Sequence, residues 1–137
     1  LSLVGSEMCI RDSSTTTTLY NQGCHHMRTF IDVDNIVGLT PLHYALDLKK
    51  FWKKYNVDLQ IGTQLLQGLE SQENIDLFNQ AAEKVDFIGC LPSRDKDPEK
   101  HLDIVFNKGK FVGADAIVPD AKPMTSIIPF HAIHLRD

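Results

Sequence analysis

Four short apolar runs recur along this chain at nearly even spacing, and between each pair lies one amphipathic segment. The first is Met27 to Val33, which carries Arg28 and Thr29 and runs into Asp32, Asp34 and Asn35. Asn56 to Gly62 follows about 30 residues later, Val85 to Cys90 about 30 after that, and Lys110 to Val112 about 25 further on, close to the period of one strand and one helix. Runs this short, rich in β-branched residues and closed by acids, glycine or proline, read as buried strands. Strands alternating with helices give a parallel sheet with helices laid over it.

The intervening segments carry helix signals. Gly23 stands where a helix C-cap would, so Ser14 to Gln22 reads as the last turns of a helix leading into the first strand. Thr40-Pro41 reads as N-cap and first helical position, with Ala45, Leu48, Trp52 and Tyr55 along one face. Ser71 caps the next helix, whose buried face is Ile75, Phe78, Ala82 and Val85. Asp97-Pro98 opens another, with Leu102, Val105 and Phe106 facing inward and Gly109 as its stop. Beyond Val112 the pattern lapses, and Pro119, Pro123 and Pro129 interrupt a tail that completes no further unit.

A closed (β/α)8 barrel of roughly 250 residues spends about 31 per unit, which fits this spacing. A doubly wound sheet also alternates strand and helix, but no Gly-x-Gly-x-x-Gly or Walker-type phosphate turn is present. The expected fold is therefore α/β, a partial (β/α)8 TIM barrel of about four units. Four strands cannot close a barrel, so the reading implies truncation at both ends and two unpaired strand edges that favour aggregation.

Composition narrows the function. With 137 residues, 42% hydrophobic and 23% charged, the chain can bury one core. A formal charge of −4 argues against a nucleic-acid partner or an anionic membrane surface, both of which need a basic face. No apolar stretch is long enough to span a bilayer. Three cysteines without Cys-x-x-Cys spacing give no disulfide framework and no thiolate metal site, and suggest a reducing, cytoplasmic setting. The sequence leaves a homo-oligomer open.

In a barrel the chemistry sits at the C-terminal ends of the strands. That places Asp32 and Asp34, Gln64 and Gln67, and Cys90, Ser93 and Arg94 as candidates. Each has a plainer reading: the aspartates as loop or helix-approach acids, the glutamines as solvated loop residues, Cys90 as a small buried hydrophobe with no assignable base, and Arg94 as a loop charge. His25 and His26 precede a strand, and His43 and His101 lie on helices. His131 and His134 share a helical spacing but lack a second ligand pair.

Two resemblances add to this. Leu1 to Ser13 resembles the in-frame translation of a transposase adapter used in sequencing libraries, which would make residues 1–13 a non-native segment. Gly23-Cys24-His25-His26-Met27-Arg28-Thr29-Phe30-Ile31-Asp32-Val33 resembles the Gly-x-x-x-x-Arg-Thr-x-x-Asp-x strand of cytosine deaminase-like amidohydrolases. Asp58 to Ile61, Gln67-Gly68 and Phe87 to Pro92 follow in that family's order, so the match runs from Gly23 to Val112.

The resemblance implies a metal-dependent hydrolase, using iron or zinc, that cleaves a C–N bond of a nitrogenous ring. The metal lowers the pKa of a bound water while a carboxylate shuttles protons. It implies that residues 14–112 hold strands 2 to 5, with the first ligand pair, a His-x-His, upstream of Ser14 and the last two ligands beyond the end. The fifth-strand His, followed by the catalytic Glu, should come after Phe111-Val112, and Ile117 stands in its place. No residue here is then assigned as catalytic or as a metal ligand. The expectation is an inactive piece with no metal of its own, whose residues 113–137 have slipped out of frame near Gly113. The family's substrate-contacting Gln falls near Leu66, which points to Gln64 or Gln67, since a carboxamide both donates to and accepts from a ring amide edge. Two other readings stand beside this one: a small α/β binding or scaffold module without metal, and a piece of a different βα-barrel enzyme.

Overall fold

A computed structural model describes residues 3–113 and 115–117. Its elements run α1 (Leu3–Asn21), β1 (His26–Asp32), α2 (Thr40–Lys53), β2 (Asp58–Gln64), α3 (Gln72–Ala82), β3 (Phe87–Gly89), α4 (Pro98–Val112) and β4 (Asp115–Ile117). A short 3-10 turn, Pro92–Arg94, follows β3. The four strands form one sheet in the order β1-β2-β3-β4, and every neighbouring pair is parallel. Each crossover is helical, so the βα alternation expected from the apolar runs is what the chain builds. Among the described residues β1 and β4 each have one strand neighbour.

The helix over the threonine run is stabilised locally. β-branched residues lose rotamer freedom in a helix, but Thr15, Thr17 and Thr18 each donate a hydroxyl to the carbonyl four residues back, on Arg11, Ser13 and Ser14. Gly23 then closes α1 with φ +85°, and Cys24 N–H reaches back to the Leu19 carbonyl. That is the left-handed C-terminal turn the glycine predicted. The helix begins at Leu3, within the segment expected to be foreign.

Caps account for most remaining boundaries. Ser71 accepts from Asn74 N–H and Asp97 from Lys100 N–H, both as expected. Thr40 is not a cap: Leu39 holds that position without a side-chain hydrogen bond, and Thr40 is already helical. The expected strand at Lys110 to Val112 is also corrected. Gly109 is buried inside α4, and the helix continues to Val112, where Gly113 takes the left-handed conformation at φ +66°. The fourth strand is displaced to Asp115–Ile117, where it pairs with β3 through Phe87↔Asp115 and Gly89↔Ile117. The sheet thus continues past the point where the sequence pattern lapses. Residues 118–137, including His131 and His134, lie outside the described residues.

Successive strand residues point to opposite faces, and the two faces differ. Met27, Ile31, Val33, Leu59, Ile61, Ile88 and Cys90 pack with Leu42, Ala45, Trp52, Phe78, Ala81 and Val105 into one apolar core beneath the helices. The opposite face carries Arg28, Phe30 and Asp32 from β1, Gln60, Gly62 and Gln64 from β2, and Phe87 and Gly89 from β3.

Candidate functional site

The face turned away from the helices is built in levels. At the N-terminal level Arg28 Nε donates to Gln60 Oε1 at 2.6 Å, and the guanidinium carbon lies 5.2 Å from the centre of the Phe87 ring. Next come two aromatic rings. Phe30 and Phe87 meet edge to face, centroids 5.0 Å apart at 86°. They can do so because the strand between them has no side chain at that level: a Cβ on Gly62 would sit 2.2 Å from the Phe87 ring. One on Gly89 would sit 2.5 Å from Phe30. At the C-terminal level Asp32 and Gln64 are directly paired across the sheet.

Asp32 is the perturbed acid of this rim. Burial pushes its carboxyl above the ordinary aspartate value, a hydrogen bond from Gln64 pulls it back, the Asp34 charge raises it, and Arg11 and Arg94 lower it. One oxygen, Oδ1, is buried with no hydrogen-bond partner. A buried acceptor left unpaired costs about 1 to 3 kcal/mol.

The other candidates have settled roles. Asp34 is buried and its Oδ1 accepts from the backbone N–H groups of Ile36 and Val37 at 2.9 and 3.0 Å, so it shapes the loop after β1. Cys90 points the wrong way for a strand-end nucleophile: it lies in the helix-side core, 1% exposed, and burial pushes its thiol up to about 12. Arg94 is exposed on the 3-10 turn and reaches the rim only through its charge on Asp32. Gln67 is exposed in the loop after β2, whereas Gln64 is the last residue of that strand and half-buried.

Sequence reasoning missed the pair that fixes these loops. Asp95 accepts from Leu69 N–H and contacts His101 Nδ1 at 2.6 Å, while His101 Nε2 accepts from Leu91 N–H at 3.2 Å. That pattern sets the tautomer, with the proton on Nδ1. Both side chains are almost fully buried, and a Cβ on Gly68 would strike the Asp95 carboxylate. Asn74 makes a second clip, accepting from Asn35 N–H and donating to the Gly68 carbonyl. With both His101 nitrogens occupied, the dyad is a brace and not a base.

Among the described residues no three His, Cys, Asp or Glu side chains gather so as to hold a metal ion. Asp32 and Gln64 therefore do not by themselves make up the ligand set of the metal that the resemblance implies.

Comparison with known proteins bears on the fold directly. No protein-family profile matches the chain, and no curated protein matches it in sequence. Among solved structures it is similar to N-isopropylammelide isopropylaminohydrolase from Burkholderia multivorans, with 28% identity and a TM-score of 0.64 over 69% of this chain and 25% of that one. It is similar in fold to 5-methylcytosine deaminase from Klebsiella pneumoniae, solved with 5-fluorocytosine, with 24% identity and a TM-score of 0.73 over 83% of this chain and 28% of that one. The chain spans about a quarter of the length of either protein. Among the described residues no helix is long and apolar enough to cross a membrane.

Proposed function

We propose that this chain forms a sector of a (β/α)8 hydrolase barrel that cleaves a C–N bond of a nitrogen-bearing ring, and that it supplies part of the surface that holds the ring. The likeness to N-isopropylammelide isopropylaminohydrolase carries this reading, because it joins a shared fold to recognisable sequence identity. The strand ends support it: the polar rim of Asp32 and Gln64 stands at the C-terminal edge of a parallel sheet, where barrel chemistry is done. In this reading Gln64 recognises the ring edge, with its place on a strand fixing the carboxamide better than a loop would fix Gln67. The groups that activate water come from elsewhere in the barrel, since the described residues gather no metal-binding set. The substrate is a small nitrogenous ring, and the setting is the cytoplasm.

The test is to recover the uninterrupted gene around residues 14–113 and assay its product for amine release from cytosine and from N-isopropylammelide. We expect an upstream His-x-His, an in-frame His-x-x-Glu after β4, and release of ammonia or alkylamine. Gln64→Ala is expected to raise KM more than it lowers kcat. A product with neither motif and no release would overturn the reading.

A further inference from the structure

A strand at the edge of a sheet leaves a row of backbone groups unpaired. Among the described residues β1 and β4 each have one strand neighbour. On β1 the open side can be read residue by residue. Val33 N–H donates to the Gln64 carbonyl and the His25 carbonyl accepts from Asp58 N–H, so the odd-numbered residues of this stretch are turned toward β2. The N–H and C=O groups of His26, Arg28, Phe30 and Asp32 therefore face outward, along a strand of seven residues. The face turned away from the helices is unfinished in a matching way. Phe30 and Phe87 come from β1 and β3, and the strand between them carries only Gly62 at that level. A closed (β/α)8 barrel fills each interior layer with four side chains from alternate strands. Two rings from alternate strands are half of such a layer, and Phe30 is only half-buried.

We propose that two copies of this chain close on each other as a two-fold dimer, with β4 of one copy pairing with β1 of the other at two identical parallel seams. The order β1-β2-β3-β4, parallel throughout, presents β1 and β4 as opposite edges of one sheet, so a single two-fold rotation satisfies both edges of both copies. Two copies bring eight strands and eight helices, the count of a closed barrel. The helices fit the same closure. Each strand is preceded by a helix, and α1, whose Tyr20 ring lies 5.2 Å from that of Trp52 on α2, supplies the one for the seam at β1. The phenylalanine pairs of the two copies then complete one interior layer of four. A single added strand would only move the open edge outward, and an antiparallel partner on one edge would leave the other bare. The second copy takes the places that further strands of a longer barrel would take. Closure of this kind depends on the parallel βα topology and not on the ring chemistry.

Sedimentation velocity of the full chain over a concentration series, with amide hydrogen exchange at each concentration, tests this. A species of twice the chain mass is expected, with none larger. As it forms, the outward amides of Arg28 and Phe30 should exchange more slowly, while the Ile31 amide, turned toward β2, is protected at every concentration. Arg28→Pro removes one outward N–H from each seam. It should raise the dimer dissociation constant about thirtyfold or more, for one backbone hydrogen bond lost at each of two seams. The exchange comparison needs no variant, so it stands even where the proline disturbs folding. A chain that stays monomeric overturns the closure, whether its Arg28 and Phe30 amides are free or are covered by residues of the same chain. Growth into open-ended species overturns it too, as does a dimer in which both amides exchange as in the monomer, or a folded Arg28→Pro chain that dimerises unchanged. Each of those results leaves the hydrolase reading to the amine-release assay.

Discussion

Asp32 and Asp34 stand two residues apart, one ending β1 and the other opening the loop after it, and both are withdrawn from water, yet they do opposite things. Asp34 is saturated by the backbone of its own loop, with Ile36 and Val37 donating to one oxygen and Gly38 N–H to its carbonyl. Asp32 shares a single side-chain hydrogen bond with Gln64 and leaves an oxygen bare. The first arrangement is spent on the fold. The second leaves a buried acceptor unpaired, at a cost to the fold.

Substitutions should separate the two kinds of acid. The largest loss is expected from Asp95→Ala, an acid of the Asp34 kind, which strands Leu69 N–H and His101 Nδ1 in a buried setting. Chemical denaturation should show about 2 to 5 kcal/mol of destabilisation. Asp34→Ala should cost about 1 to 3 kcal/mol by the same measurement, since two loop N–H groups lose their acceptor but lie nearer solvent. A neutral result at either position would erase the distinction drawn here.

Asp32→Asn should have the smallest effect, with the opposite sign. The folded chain holds the Asp32 carboxyl above its unfolded pKa, so the folded state favours the protonated form. Its contribution is present in full below the ordinary aspartate pKa and fades as pH rises through the raised value. The variant should therefore match the parent at low pH and be slightly more stable at neutral pH, a difference that parallel denaturation curves at both pH values would read. A variant less stable at neutral pH would show that the carboxylate is serving the fold after all.

How much of this was legible depended on whether a signal was local. The βα alternation, the Ser71 and Asp97 caps and the Gly23 turn are written in a few adjacent residues, and they appear where the sequence puts them. The end of α4 was misread because Gly109 and Gly113 are equally good stops in sequence. Gly109 is buried within the helix, and Gly113 takes the left-handed turn that ends it. The direction of Cys90 was not legible, since Val85 to Cys90 is apolar on both faces and a run without alternation carries no parity. The Phe30–Phe87 contact and the reach of Asp95 to Leu69 N–H join residues from different units, and one sequence contains no trace of which units touch. Gln64 was singled out together with Gln67, and the fold separates them, placing one on a strand and the other in an exposed loop.

The edge-to-face contact between Phe30 and Phe87 has a consequence for how the chain assembles. The rings come from β1 and β3, reaching across the bare position at Gly62, so they can meet only after three strands and the two helices between them have docked. Such a non-local contact closes a long loop and forms late, whereas helical signals can rise early. The ring-current shifts of these two phenylalanines would thus serve as a timer for completion of the sheet, running behind circular dichroism during refolding.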